Sequence, residues 1–318
     1  MNLLRIISIN VIVFFSSLLM VELLFGYWFD KNNLGAYMRE HRMKKNSLTV
    51  KFKDEKYNFV YKRNYYGFRG DDVSLEDIKM VLIGGSTADE RYKPYEYTIT
   101  GLINKKFEEE KINLKIVNAG IEGQSTKGHI FNFESWFSKL KKFSPEYFIF
   151  YIGINDHMKD PNKNDERSND GHVSNPSTLE FLKDNVKSRS FLYDHIRKIK
   201  HKYYLNDKKT LSYDFDHGIK SYNKEKNYYF LNYDDAIKIY KTSDLIKKNK
   251  KLISIYLNNV DKLVYLTKKY NAKPIFINQL THEGNSNSKL FILNYSLIKH
   301  CEEKRYFCID LARSLKGE

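Results

Sequence analysis

The sequence predicts an α/β protein: a three-layer α/β/α domain around a mostly parallel sheet, preceded by one transmembrane helix. Two observations carry this prediction. From residue 79 onward, short and almost wholly apolar strand segments alternate with helical segments, a pattern typical of parallel sheets covered by helices on both faces. In addition, an apolar stretch of 24 residues lies near the N-terminus, which is long enough for a membrane span.

The N-terminal stretch, residues 6–29, is apolar apart from Asn10, Glu22 and a few serines. As a helix at about 1.5 Å per residue it would be roughly 36 Å long, enough to cross a hydrocarbon core of about 30 Å with some tilt. It ends in Tyr27-Trp28-Phe29, and aromatic residues favour the membrane interface. No small-residue cleavage site follows, so we expect residues 1–29 to be an uncleaved anchor and not a removed signal peptide.

The charges beside this anchor favour a cytoplasmic body when they are counted alone. Arg5 precedes the span, whereas five basic residues follow it: Lys31, Arg39, Arg42, Lys44 and Lys45.

After the anchor we expect a connecting segment at residues 30–75 and one large domain at 76–318. Strands are predicted at 79–83, 114–118, 147–152, 274–278 and 306–309, and helices at 97–111, 127–143, 252–270 and 290–302. The alternation breaks between residues 157 and 247, where a helix is predicted at 177–204. This stretch is interpreted as an insertion at the strand ends, either a lid over the site or a poorly ordered excursion.

Composition restricts the function classes. The net charge of +15 comes from lysines spread along the whole chain, which indicates a compositional bias and not a nucleic-acid surface; no nucleic-acid partner is expected. Cys301 and Cys308 could pair, although ordinary core thiols are the favoured interpretation. No Cys/His metal spacing is present, and neither a metal nor another cofactor is predicted.

Three of the predicted strands end in loops that combine glycine with a polar group: Ser86, Gly123 with Gln124, and Asn155. In a parallel sheet these loops meet at one edge, where ligands bind. Acyl transfer needs such a set, because a hydroxyl attacks the carbonyl and fixed donors must meet the oxygen that becomes negative.

The segments Gly84-Gly85-Ser86-Thr87, Asn118-Ala119-Gly120-Ile121-Glu122-Gly123 and Gly153-Ile154-Asn155-Asp156 resemble the first three sequence blocks of the SGNH, or GDSL-like, hydrolases in order and spacing. That family is a three-layer α/β/α fold of esterases, lipases, carbohydrate O-acetyl esterases and some acyltransferases. The resemblance implies that Ser86 is the nucleophile. It also implies an oxyanion hole formed by the N–H groups of Ser86 and Gly123 and the side-chain amide of Asn155.

Other interpretations of the serine turn fit less well. A phosphate-binding P-loop requires a lysine before the serine, and a dinucleotide fingerprint requires GxGxxG. The α/β-hydrolase elbow requires GxSxG, whereas residue 88 is alanine. Ser86 could also simply cap a helix.

The family's general base is a histidine in an Asp-x-x-His block after the last strand. Here that strand ends at Asp310, residues 311–318 contain no histidine, and the catalytic dyad is not found. The simplest account is that the domain is truncated at its C-terminus. His282, at another strand end, is the better substitute; His157 lies in the Asn155 loop, and His129 lies on a helix. Without a base, about 10³–10⁴-fold acceleration over water would remain.

The expected function is therefore a membrane-anchored hydrolase that cleaves acyl or acetyl esters of a small molecule, lipid or carbohydrate through Ser86. The resemblance implies a soluble domain outside the cytoplasm, against the charge count. The alternatives are an O-acyltransferase acting on envelope carbohydrate and a non-catalytic binding protein of the same fold.

Overall fold

The computed structural model describes residues 3–29, 45–52, 55–161, 178–204, 211–214 and 230–315. Parts of the predicted connecting segment (30–44 and 53–54) and of the predicted insertion (162–177, 205–210 and 215–229) lie outside the described residues, as do residues 1–2 and 316–318. The chain forms two compact units. One comprises Met1–His41 and Asn175–Lys209; the other comprises Arg42–Ser174 and Thr210–Glu318.

The described part of the first unit forms three helices: α1 (Leu3–Phe25), α5 (Thr178–Arg189) and α6 (Phe191–Tyr204). Helix α1 has a mean hydropathy of 2.2 and no buried residue, so it is long and apolar enough to cross a membrane. The single helix predicted at 177–204 is two helices, separated at Ser190. The hydroxyl of Ser190 accepts from the amide of Tyr193 at 3.0 Å and so caps the start of α6.

The second unit is built on a five-stranded sheet in which every pairing is parallel, with strand order β4-β3-β5-β7-β8. All five strands predicted from the apolar segments are present, with ends shifted by at most two residues. They are β3 (Met80–Gly84), β4 (Ile116–Asn118), β5 (Tyr147–Tyr151), β7 (Lys273–Ile277) and β8 (Phe307–Ile309).

The helices that alternate with these strands are α3 (Ile99–Glu109), α4 (Thr126–Ser135), α9 (Lys250–Lys268) and α10 (Ser288–Lys304); shorter helices are α2 (Ser86–Asp89), α7 (Tyr233–Ile239), α8 (Thr242–Lys248) and α11 (Leu311–Ser314). Helix α4 ends eight residues before the predicted position. The chain leaves the helix at Trp136, whose buried ring lies 5.0 Å from that of Phe68 and whose Nε1 donates to the carbonyl of Tyr66. Core packing therefore ends this helix.

On the side of the edge strand β4 that has no neighbouring strand among the described residues, a side chain makes the backbone hydrogen bonds that a strand would make. Asn104 of α3 donates from Nδ2 to the carbonyl of Ile116 at 2.9 Å and accepts from the amide of Ile116 at 3.0 Å. Because both backbone groups of Ile116 are paired in this way, β4 is fixed at the start of the segment that leads to Gly123.

A second sheet has the order β2-β1-β6, formed by β1 (Lys45–Phe52), β2 (Glu55–Lys62) and β6 (Leu211–Asp214). Strands β1 and β2 pair antiparallel, and β6 pairs parallel with β1. No strand was predicted in the connecting segment, although apolar residues alternate along both arms of this hairpin (Leu48, Val50, Phe52; Tyr57, Phe59, Tyr61).

The interpretation of Cys301 and Cys308 as free thiols is wrong. Cys301, in the last turns of α10, forms a disulfide with Cys308 of β8, with the two Cα atoms 6.2 Å apart. The turn between α10 and β8 brings the two residues together, so the cross-link fixes the edge strand of the sheet to its own helix.

Candidate active site

The three predicted loops lie at one edge of the sheet. Strand β3 pairs with β4 on one side and with β5 on the other, and all three run in the same direction. The loop after β4 is also bonded directly to β3, because the amide of Ala119 donates to Leu82 and the amide of Ile121 donates to Gly84. The carboxyl ends of these strands therefore place Ser86, the Gly123 loop and the Asn155 loop side by side.

Ser86 is exposed and begins the short helix α2, directly after the buried Gly85. A Cβ at residue 85 would lie 2.1 Å from Nδ2 of Asn155. Only glycine leaves room for the Asn155 amide to approach the backbone beside Ser86.

Asn155 is buried, with 8 % of its surface exposed. Its Nδ2 donates to the carbonyl of Gln124 at 2.7 Å, which fixes the orientation of the amide. Gly123, the residue before, has φ of +79°, a conformation that glycine adopts without strain. The structure thus brings the Ser86 turn, the backbone next to Gly123 and the Asn155 side chain together.

A second connection joins the same two loops. The buried carboxylate of Asp156 accepts from the amide and the hydroxyl of Thr126, the first residue of α4, at 3.1 and 2.6 Å. Asn259 of α9 donates to the same hydroxyl at 2.9 Å. The Asn155 loop is therefore joined to the Gly123 loop and the start of α4 by two contacts, that of Asn155 with Gln124 and that of Asp156 with Thr126.

Gln279 is a further member of this edge that was not predicted. It follows β7, and its Nε2 donates to the hydroxyl of Thr87, the residue after Ser86, at 2.7 Å. Its Oε1 accepts from the amide of Ile154, the residue before Asn155, at 2.9 Å. Its position directly beyond a predicted strand is the sequence signal for it; in that loop His282 was the predicted candidate.

A buried ion pair lies behind the Ser86 helix. Nη2 of Arg63 is 2.8 Å from Oδ1 of Asp89, and the two side chains are 1 % and 4 % exposed. The hydroxyl of Tyr61 donates to the same carboxylate at 2.9 Å and accepts from Nε of Arg63. Arg63 also donates to the carbonyl of Gly120. The pair therefore connects β2 with the last residue of α2 and with the loop that carries Gly123.

The pKa values of two side chains in this cluster, Tyr61 and Arg69, reflect its burial. Burial raises the pKa of Tyr61 to about 12, and burial lowers the pKa of Arg69 from its ordinary value. Arg69 donates to the carbonyl of Asp89 and through its amide to the carbonyl of Asn118. Arg63 and Arg69, both from the predicted connecting segment, thus hold two of the three loops of the candidate site.

The histidines have different positions. His157 is half-buried in the loop after β5, and burial, with the charge of Lys289, lowers its pKa from the ordinary value of 6.5. His282 is exposed in the loop after β7, 3.8 Å from Oε1 of Glu283. His129 is packed in α4, with 1 % exposed.

Asp310 acts structurally: its carboxylate caps α11 through the amide of Arg313 and accepts from Nδ2 of Asn278. Across residues 3–29, 45–52, 55–161, 178–204, 211–214 and 230–315, no group of three His, Cys, Asp or Glu residues could hold a metal ion.

We expect Arg63→Met to destabilise the sheet unit by about 3–5 kcal/mol, because it leaves the Asp89 carboxylate buried without its cation. The measurement is denaturant unfolding of the detergent-purified chain. The matched control is Lys142→Met, which removes an exposed ion pair in which Nζ of Lys142 lies 2.9 Å from Oε1 of Glu76. This change should leave the denaturant midpoint unchanged. Equal midpoints for the two variants would show that the buried pair does not stabilise this edge.

No family model matches the sequence, and no curated protein matches it. Solved structures that align with the chain include esterases and a lipolytic protein. A catalytic mutant of Axe2, an acetylxylan esterase from Geobacillus stearothermophilus, is 13 % identical, with 73 % of this chain and 75 % of that chain covered and a TM-score of 0.36. A member of the lipolytic protein G-D-S-L family from Veillonella parvula is 11 % identical, with 73 % and 77 % covered and a TM-score of 0.38.

Proposed function

We propose that this protein is a membrane-anchored serine hydrolase of acyl or acetyl esters, with Ser86 as nucleophile. One observation carries the proposal: the amide of Asn155 is held by Gln124 against the glycine that precedes an exposed serine. A hydroxyl that water and substrate can reach, beside an immobilised neutral donor, is the arrangement that acyl transfer requires.

In the proposed reaction the Ser86 oxygen attacks the ester carbonyl, and the carbonyl oxygen becomes negative in the tetrahedral intermediate. The N–H groups of Ser86 and Gly123 donate to that oxygen. Asn155 has two amide protons; one is committed to Gln124, and the other is available for the oxyanion. The alcohol leaves, and water then hydrolyses the acyl-Ser86 ester.

The serine proton needs an acceptor, since a neutral hydroxyl is a weak nucleophile. The described loops at this edge contain His157 and His282, which are the candidates for the base. Burial lowers the pKa of His157 below the ordinary value of 6.5, so its imidazole is neutral at pH 7. With neither acting, the oxyanion hole and substrate binding would sustain about 10³–10⁴-fold acceleration over water.

We further propose that α1 spans a membrane and that the sheet unit lies outside the cytoplasm, where its substrate would be an ester on an envelope carbohydrate or lipid. The Cys301–Cys308 disulfide supports this side, because structural disulfides persist in oxidising compartments and are rare in the cytosol. The disulfide therefore argues against the cytoplasmic location that the basic residues after the anchor favour.

Ser86→Ala should abolish labelling of the full chain by a fluorophosphonate probe and reduce hydrolysis of an acetyl ester such as 4-nitrophenyl acetate to background. Asn155→Ala should retain the nucleophile but lower kcat by about 10²–10³-fold, because one oxyanion donor is lost. Ser138→Ala and Asn58→Ala change exposed residues of the same types and should match wild type. Wild-type protein that is neither labelled nor active would instead favour the binding-protein alternative.

The proposed location outside the cytoplasm predicts that Cys301 and Cys308 are oxidised in the membrane. In membranes isolated with a thiol-blocking reagent present, Cys301 and Cys308 should resist alkylation until a reductant is added. Because an oxidising compartment keeps such a pair closed, nearly complete alkylation without reductant would place the sheet unit in the cytoplasm and contradict this part of the proposal.

A further inference from the structure

The first unit contains an unusual junction between the apolar helix α1 and helix α6. Glu22, near the end of α1, accepts from the amides of Phe191 and Leu192 at 3.0 and 3.1 Å and from the hydroxyl of Ser190. These amides have no partner within their own helix because they belong to its first turn. A carboxylate at that position satisfies them and interacts favourably with the helix dipole.

Other contacts hold the same junction. The amide of Tyr27 donates to the carbonyl of Arg189 at 2.7 Å, and Nε1 of Trp28 donates to Glu22 at 3.1 Å. The rings of Phe25 and Phe191 lie 5.5 Å apart. Tyr27 and Trp28 are of the residue types that lie at the headgroup level of a membrane span. If α1 crosses the bilayer, the break between α5 and α6 at Ser190 therefore lies at that same level.

Both helices that meet at this break expose large apolar side chains. On α5, Leu179, Leu182 and Val186 are 77, 57 and 52 % exposed; their spacing of three and four residues puts them on one face. On α6, Ile196 and Ile199 are 65 and 52 % exposed. Isolated exposed apolar residues are ordinary, but an apolar face on each of two adjoining helices is not.

The same two helices are basic. Residues 178–204 contain seven Lys or Arg residues and three Asp or Glu residues. Amphipathic helices with an apolar face and a surplus of Lys and Arg bind membrane surfaces, with the apolar side in the headgroup region and the cations near anionic lipids.

We propose that α5 and α6 lie on the bilayer surface and bind anionic lipid headgroups, in the leaflet where α1 ends. The occupant of the apolar faces is lipid and not a protein, because the junction at Glu22 places the start of α6 directly beside the end of the span. The chain is thereby held to its membrane by a span and by two interfacial helices. This inference rests on the proposed insertion of α1.

The test measures depth at single positions in the full chain reconstituted into vesicles. Leu182→Cys, Ile199→Cys, Ile12→Cys and Lys105→Cys are each labelled with an environment-sensitive fluorophore, the native disulfide being left oxidised. Quenching by lipids with a spin label near the headgroup or deep in the acyl chain is compared with quenching by iodide in water. Position 12 reports the span, and position 105, exposed on α3, is the aqueous control.

We expect position 12 to be quenched by the deep label, positions 182 and 199 by the shallow label with little effect of iodide, and position 105 by iodide alone. Iodide quenching at 182 and 199 together with a lipid-buried position 12 would overturn this inference but not the anchor. An aqueous position 12 would overturn the anchor itself, and the inference with it. Positions 182 and 199 protected from both quenchers would indicate a protein partner and also contradict the proposal.

A separate experiment tests whether α5 and α6 prefer anionic lipid headgroups. In vesicles with equal parts of phosphatidylglycerol and phosphatidylcholine, quenching at position 199 by the uncharged quencher acrylamide should be roughly twofold weaker than in phosphatidylcholine alone. Lys183→Gln with Lys187→Gln should reduce that difference, whereas Lys247→Gln with Lys248→Gln, a matched exposed pair on α8, should not. Equal quenching in both lipids would contradict the headgroup preference.

Discussion

The position of β3 between β4 and β5 is the constraint on which the rest of the site depends. Parallel pairing on both sides of one strand makes three consecutive strand ends neighbours in space. The residues that follow those ends are separated by more than thirty positions in the sequence. They are nevertheless close in space, without long loops, because each follows its strand within a few residues. The backbone hydrogen bonds of the sheet thus bring these three strand ends together without any contribution from the side chains of the site.

The remaining precision comes from contacts between buried groups. Gly85 leaves the space that Asn155 occupies, and Gln124 fixes the direction of its amide. Arg63 and Asp89 then join the serine helix to β2 and to the Gly120 carbonyl. Because these contacts are made by the protein's own buried groups, they fix the donors proposed for the oxyanion, and fixed donors are the most effective ones.

Much of the sheet could be predicted from the sequence because each strand is an uninterrupted apolar run that ends in glycine or a polar residue. The same signal predicts that Ser86 and Asn155 follow strands of one sheet, which the pairing of β3 with β5 agrees with. The pairing of Arg63 with Asp89 and the two contacts of Gln279 could not be predicted, since they join residues from separate elements. The end of α4 at Trp136 was missed for a related reason: packing, and not local preference, decides it.

The most direct test of the account is a crystal structure of the full chain after reaction with a fluorophosphonate. We expect the phosphorus on Ser86 Oγ and one phosphoryl oxygen within about 3 Å of the amide nitrogens of Ser86 and Gly123 and of Asn155 Nδ2. An adduct on another residue, or a phosphoryl oxygen directed away from Gly123 and Asn155, would contradict the central claim.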